Sequence, residues 1–259
     1  MNSMLKNIFT IALNTYRETI RDRVLLSAST VVIAIILFSL FIASISLEQS
    51  TRMIVDFGVT AIYILQIFVA IFIGSMLIYK EIERKTFFLI LPKPIRSRDI
   101  ILGKCLGLTA TIISVTLIST LALFIVLILK GEKTLFIPIT LSLLLSTIES
   151  TMLILISILF SGLTSPILSA VFTVSIFLAG HSSNILKSIF MGDSSPLAQS
   201  VARAAYYILP NLEKFNIRND IVYGIVPSGK ILILTLLYAF FYSILLFILA
   251  QLMFNKKDF

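Results

Sequence analysis

Glu149 is the residue in this chain with the clearest chemical potential, because it is the one acidic side chain deep inside an apolar run, "LSTIESTMLIL". A carboxylate near the middle of a bilayer costs about 2.5–3.5 kcal/mol unless it is protonated, paired or facing water, so it marks a substrate path or a proton relay by default. The hydroxyls of Ser146, Thr147, Ser150 and Thr151 offer the opposite reading, a protonated Glu149 satisfied at a helix interface. Gln66, the polar residue of another apolar run, reads as an interhelical hydrogen bond rather than a ligand contact. His181, the single histidine, is followed by Ser182 and Ser183. Side chains adjacent in sequence do not face one another on a helix, and no second base is evident at the same depth. The expectation is a chance juxtaposition in a loop, not an intramembrane hydrolase. "GIVPSGKI", Gly224 to Ile231, nearly spells the phosphate-binding loop, but Ile231 stands where a magnesium-binding hydroxyl is needed, and an apolar span follows it. Lys230 is better read as an interfacial anchor. One cysteine, Cys105, excludes an internal disulfide, and no Cys/His cluster suggests a metal.

A different chemistry is concentrated in "YKEIERKTFFLILPKPIRSRDIILGK", Tyr79 to Lys104. Glu81 and Lys85 are four residues apart with the acid first, a favourable helical pair, and Ile82, Phe87, Phe88 and Leu91 supply apolar contacts. Pro92 and Pro94 stop that short helix. Arg96, Arg98 and Lys104 then mark re-entry into the membrane among headgroups. A pure topology signal needs the basic residues but neither the glutamates nor the phenylalanine pair.

The elements that must carry these residues follow from composition. The 259 residues are 58% hydrophobic and only 13% charged, with mean hydropathy +1.04. A soluble domain carries about 25% charged residues, so the chain is expected to be an all-α polytopic membrane protein with no separate soluble domain. Six spans are expected, at about 24–47, 58–79, 100–129, 135–160, 165–182 and 231–254. Residues 1–23 carry Leu5, Ile8, Ala12, Tyr16 and Ile20 at helical spacing and read as an interfacial helix. Between the fifth and sixth spans, the segment 183–230 contains "SSPLAQSVARAAYYILP", with Ser195 as cap, Pro196 at the first helical position and Pro210 as stop. Its apolar series Leu197, Val201, Ala205 and Ile208 either packs on the outer ends of the spans or shapes an exit for something leaving the membrane, and packing is the expectation because an apolar stripe is usually a buried face. The segments on the side of the N-terminus hold thirteen Lys and Arg against eight on the other, so both termini are expected in the cytoplasm. The formal charge of +8 points to anionic membrane lipids rather than nucleic acid.

The loop residues also carry a resemblance. Glu81, Glu83 and Thr86, then Pro94, then "ILGK" ending at Lys104, resemble the first cytoplasmic loop of ABC transporter permeases of the type-2 export class. The chain is similar in particular to the subgroup with the permease that serves copper-site maturation of nitrous oxide reductase. "A-x-N-T-Y-R-E-x-x-R-D-R" from Ala12 and "LPNLEKFN" from Leu209 add to it, as does the layout of the whole chain. Many relatives carry an arginine three residues after the proline, where this chain has Ser97 between Arg96 and Arg98. The resemblance implies a permease homodimer served by two cytoplasmic ATPase subunits, which bind the ATP and magnesium; this chain binds no cofactor and is no enzyme itself. It further implies that the 80–99 loop is the coupling element. Glu81, Glu83, Arg84 and Thr86 would face the ATPase, and Phe87 and Phe88 would anchor the helix. An accessory protein on the outer side of a prokaryotic inner membrane is a further partner to expect. Two other classes stay open: a secondary transporter centred on Glu149, and a membrane assembly protein without transport. The few polar residues in the spans favour lipid-like, amphipathic or drug-like cargo over a broad hydrophilic channel.

Overall fold

The computed structural model describes residues 2–45, 50–77, 97–192 and 195–256. The loop residues Glu81, Glu83, Arg84, Thr86, Phe87, Phe88, Pro94 and Arg96 lie outside the described residues. What is described is all-α, without a strand, and carries five helices long and apolar enough to cross a membrane, plus one bent pair that makes a sixth. The chain is a polytopic membrane protein.

Helix α1 (Asn2–Ile20) lies along α4 (Ser97–Leu129), while α2 (Arg23–Ile45) returns against α3 (Ser50–Leu77). α3 begins at Ser50, eight residues before the span expected at 58, and runs on through a π-turn at Val69–Ile73 to Leu77. Arg52 and Asp56 lower the hydropathy of its first turns, which is why they read as loop. Arg52 instead stacks its guanidinium over Tyr223, 5.1 Å from the ring centre. α5 (Phe136–Ser161) follows a tight turn closed by Gly131, whose φ of 80° suits glycine. α5 is the central strut, with 72% of its apolar window buried against 22% in α2.

The fifth span is not one helix. α6 (Pro166–His181) and α7 (Ser183–Met191) meet at a bend of 59°. α8 (Pro196–Ile208) then starts on the Ser195 cap, whose hydroxyl accepts from the Ala198 N–H at 3.4 Å. Its apolar stripe does not pack on the bundle as expected. Leu197, Val201 and Ile208 are exposed, while Ala202 is the buried position and Tyr206 packs on Phe190 of α7, with ring centres 5.2 Å apart. An exposed apolar stripe on a polar-backed helix suits a membrane interface, so burial against protein is not required. A 3₁₀ turn (Leu212–Phe215) and the short α9 (Arg218–Val222) lead into α10 (Gly229–Lys256).

Two glycines hold α1 against α4. A methyl added at Gly103 would stand 2.6 Å from a methyl of Ile11, and one at Gly107 would stand 2.6 Å from the carbonyl oxygen of Ala12. Backbone cannot yield there as a side chain can. Gly107→Ala is therefore expected to push α1 off α4 at a cost of about 1–3 kcal/mol, seen as a lower melting temperature of the purified protein.

The α1 end of the bundle has a further fixture. Lys104 was expected among headgroups but is 1% exposed, and its ammonium group donates to the carbonyl of Leu77 at 3.5 Å. That contact ties α4 to the last described turn of α3. Arg98, by contrast, is partly exposed and lies 3.6 Å from the buried carboxylate of Asp99.

Candidate functional site

Deep in the bundle, α3, α5 and α6 present Tyr63, Glu149 and His181 to one another. Glu149 sits roughly 18–20 Å from either end of α5, at 1.5 Å per residue. The four hydroxyls expected to satisfy it do not touch it. Ser146, Thr147, Ser150 and Thr151 each donate to a carbonyl of their own helix three or four residues back. Glu149 instead accepts from the Tyr63 hydroxyl at 2.8 Å, and its same oxygen lies 2.9 Å from Nε2 of His181.

His181 is the last residue of α6, not a loop residue, and two carboxylates reach it. Its Nδ1 lies 2.9 Å from Oε2 of Glu213, and its Nε2 is also 2.9 Å from the Tyr63 hydroxyl. The absence of a second titratable group at this depth, expected from the sequence, is thus corrected by both Glu149 and Glu213. A hydrolase arrangement still does not form around it: Ser182 donates to the Leu178 carbonyl and Ser183 to Oδ1 of Asn211.

Local sequence explains how Glu213 arrives. Gly180 has no side chain, and a methyl there would meet the Pro210 carbonyl at 2.7 Å and Leu212 at 2.8 Å. The segment after α8 therefore comes in against α6, buries Leu212, Phe215, Ile217 and Ile221, and sets Glu213 beneath the imidazole. From Glu213 the chain of contacts continues. Nδ2 of Asn216 donates to Oε1 of Glu213 at 3.1 Å, and Nε of Arg218 donates to Oδ1 of Asn216 at 3.0 Å. The Arg218 guanidinium then lies 3.4 Å over the Tyr63 ring, which closes the circuit. On the opposite flank α10 holds the same segment, with the Tyr238 hydroxyl accepting from the Asn211 N–H and the Tyr242 hydroxyl donating to the Ile208 carbonyl.

The electrostatics follow from donor and acceptor capacity. An ionised carboxylate only accepts, so with both carboxylates ionised both ring nitrogens must carry hydrogen and the ring is an imidazolium. The C-terminal end of α6 favours the same charge. Two carboxylates are then balanced by His181 and Arg218. Among the described residues no group of His, Cys, Asp and Glu has the arrangement of a metal site.

Gln66, one turn along α3 from Tyr63, ties three helices together: its amide nitrogen donates to Thr116 at 2.9 Å and to Thr147 at 3.1 Å. Both threonines also line a largely apolar groove of about 330 Å³ between α4 and α5, shared with Thr109, Thr120, Thr140 and Thr151. Nearer the α1 end, Ser75 and Ser157 both donate to the Ile71 carbonyl at the π-turn and Ser169 donates to Ser75, which stitches α3, α5 and α6. The near phosphate loop at Gly224–Ile231 follows the helical turn of α9 rather than a strand and leads directly into α10. No protein-family model matches the chain, and no curated protein matches it.

Proposed function

We propose that this chain is the membrane-spanning subunit of an ABC transporter of the type-2 export class, driven by a separate ATPase at the α1 end of the bundle, which on this reading is the cytoplasmic end. The observation that carries the proposal is the frame around the charged loop. Lys104 of α4 is tied to the Leu77 carbonyl of α3, α4 begins at Ser97 under α1, and the Gly103 and Gly107 contacts make α1 and α4 one stiff unit. A loop with Glu81, Glu83 and Phe87 between two such fixed ends suits the transfer of motion from a partner into the membrane. The resemblance of that loop to coupling loops supports the same reading.

ATP and magnesium belong to the partner, since the only phosphate-loop-like stretch lacks its hydroxyl and runs into a span. The assembly would hold two copies of the chain and two ATPase subunits in a prokaryotic inner membrane, with both termini cytoplasmic. The α4–α5 groove, with its aliphatic walls, suits an amphipathic or lipid-like cargo. Co-purification with the ATPase tests the reading. Glu83→Lys is expected to insert normally and to abolish ATP-driven transport by the complex, whereas normal coupling in that variant would overturn the proposal.

One observation favours a second reading. The Glu149–His181–Glu213 circuit resembles what a proton-driven transporter needs, and ion-driven flux by the lone chain in liposomes would favour that class over the first.

A further inference from the structure

We propose that the bridge Glu149–His181–Glu213 is a proton-holding latch that closes the end of the bundle opposite α1, and that loss of its proton opens a water path from that face to Tyr63 and Glu149. The inference deepens the transport reading by giving the permease its far gate, but its geometry stands without the ATPase.

Three observations carry it. First, the bridge joins two bodies: Glu149 and Tyr63 belong to the long central helices α5 and α3, while Glu213 belongs to the segment that folds back over them after α8. Second, the bridge falls at a break in a span. The 59° bend between α6 and α7 directly follows His181, and interrupted helices at membrane depth are tolerated where they line a cavity or a pathway. Third, the bridge needs its proton. Remove it from the imidazolium, and one ring nitrogen and its carboxylate become two acceptors facing each other at 2.9 Å.

The groups that face this proton are known from every side. Tyr63 comes from α3, Glu149 from α5, Glu213 from the 3₁₀ turn, and Arg218 from α9 across the Tyr63 ring. Lys214 points elsewhere, over the Tyr238 ring at 4.1 Å. The step is a proton transfer alone: the Nδ1–H bond breaks as an O–H bond forms on the Glu213 carboxylate, which is one-third exposed, that O–H then passes its proton to water, and the proton returns by the same route. Other attachments of the segment, namely the Ser183–Asn211 and Asn211–Tyr238 hydrogen bonds, Arg218 over Tyr63 and the burial of Leu212, Phe215, Ile217 and Ile221, do not carry this proton.

The sole cysteine makes the test direct. In a Cys105→Ser background, Ser183→Cys places a near-isosteric thiol at a position that is buried and bonded to Asn211, beside the bend. The probe is a membrane-impermeant maleimide applied to the purified full chain in nanodiscs, with rates normalised to Asn219→Cys, which is exposed. The latch predicts slow labelling while the imidazolium holds its proton and a rise of about tenfold across the pH range in which it loses it. Adding Glu213→Gln is expected to give fast labelling at every pH. A rate that is slow and flat with pH in the unaltered latch overturns the proposal, whether or not the Glu213 variant folds, and equal slow labelling in a folded Glu213→Gln protein does so independently. Neither readout involves ATP. Failure of ATPase co-purification with a pH-dependent latch intact would sink the permease reading alone.

Discussion

His181→Ala is expected to be the most damaging single change in the membrane interior, lowering stability by about 3–5 kcal/mol, because it strands the buried Glu149 carboxylate without its cation. At a few degrees per kcal/mol, the melting temperature of the purified protein falls by roughly 10 °C. The Tyr63 hydroxyl remains on Glu149, but a single neutral donor does not replace an imidazolium. Glu149→Gln is milder, since its amide keeps the shape and can still meet Tyr63. The double variant His181→Ala, Glu149→Gln is expected to be more stable than the sum of the two singles, since the cost of His181→Ala lies mainly in the orphaned charge. Strict additivity in that thermal-melt cycle would mean that His181 and Glu149 are not an interacting pair.

Lys104→Ala is expected to have the second largest effect. The side chain is fully buried, so truncation leaves a void and also removes the donor at the Leu77 carbonyl, together about 2–5 kcal/mol. Lys104→Met separates the two contributions. It keeps the stem volume and loses only the ammonium group, so about 1–3 kcal/mol is expected. Equal melting temperatures for Lys104→Met and the natural protein would mean that the buried ammonium group contributes nothing. If the α1 end is the ATPase-facing frame, Lys104→Ala also reduces co-purification of the ATPase, because α3 and α4 no longer meet the loop at a fixed spacing.

Helix class and rough span positions were legible because bilayer thickness imposes a length and an apolar composition that survive in one dimension. The start of α8 was legible too, since Ser195 and Pro196 act within one turn. Contacts between distant residues were not. Glu149 stood out by its own cost, yet its partners lie 86, 32 and 118 positions apart along the Tyr63–Glu149, Glu149–His181 and Tyr63–His181 pairs. Helical periodicity reports neighbours three and four residues away, which is why the nearby hydroxyls were the natural candidates. The one available signal was compositional: a lone histidine and a lone mid-span acid invite pairing. Lys104 was misplaced for a related reason. A lysine near a span end usually reaches headgroups, and nothing in its neighbourhood announces the carbonyl of Leu77.

The π-turn at Val69–Ile73 bears on how this chain tolerates change. Such a turn holds one residue more than an α-turn, and each residue rotates a helix by about 100°. Deleting a single residue there would restore a regular helix while leaving Tyr63 and Gln66 where they are. It would also swing Ser75 away from Ser157 and carry the Leu77 carbonyl off Lys104. The two polar layers of α3 are therefore kept in register by one supernumerary residue, and length variation at this site is expected to be purged even where side-chain identity drifts.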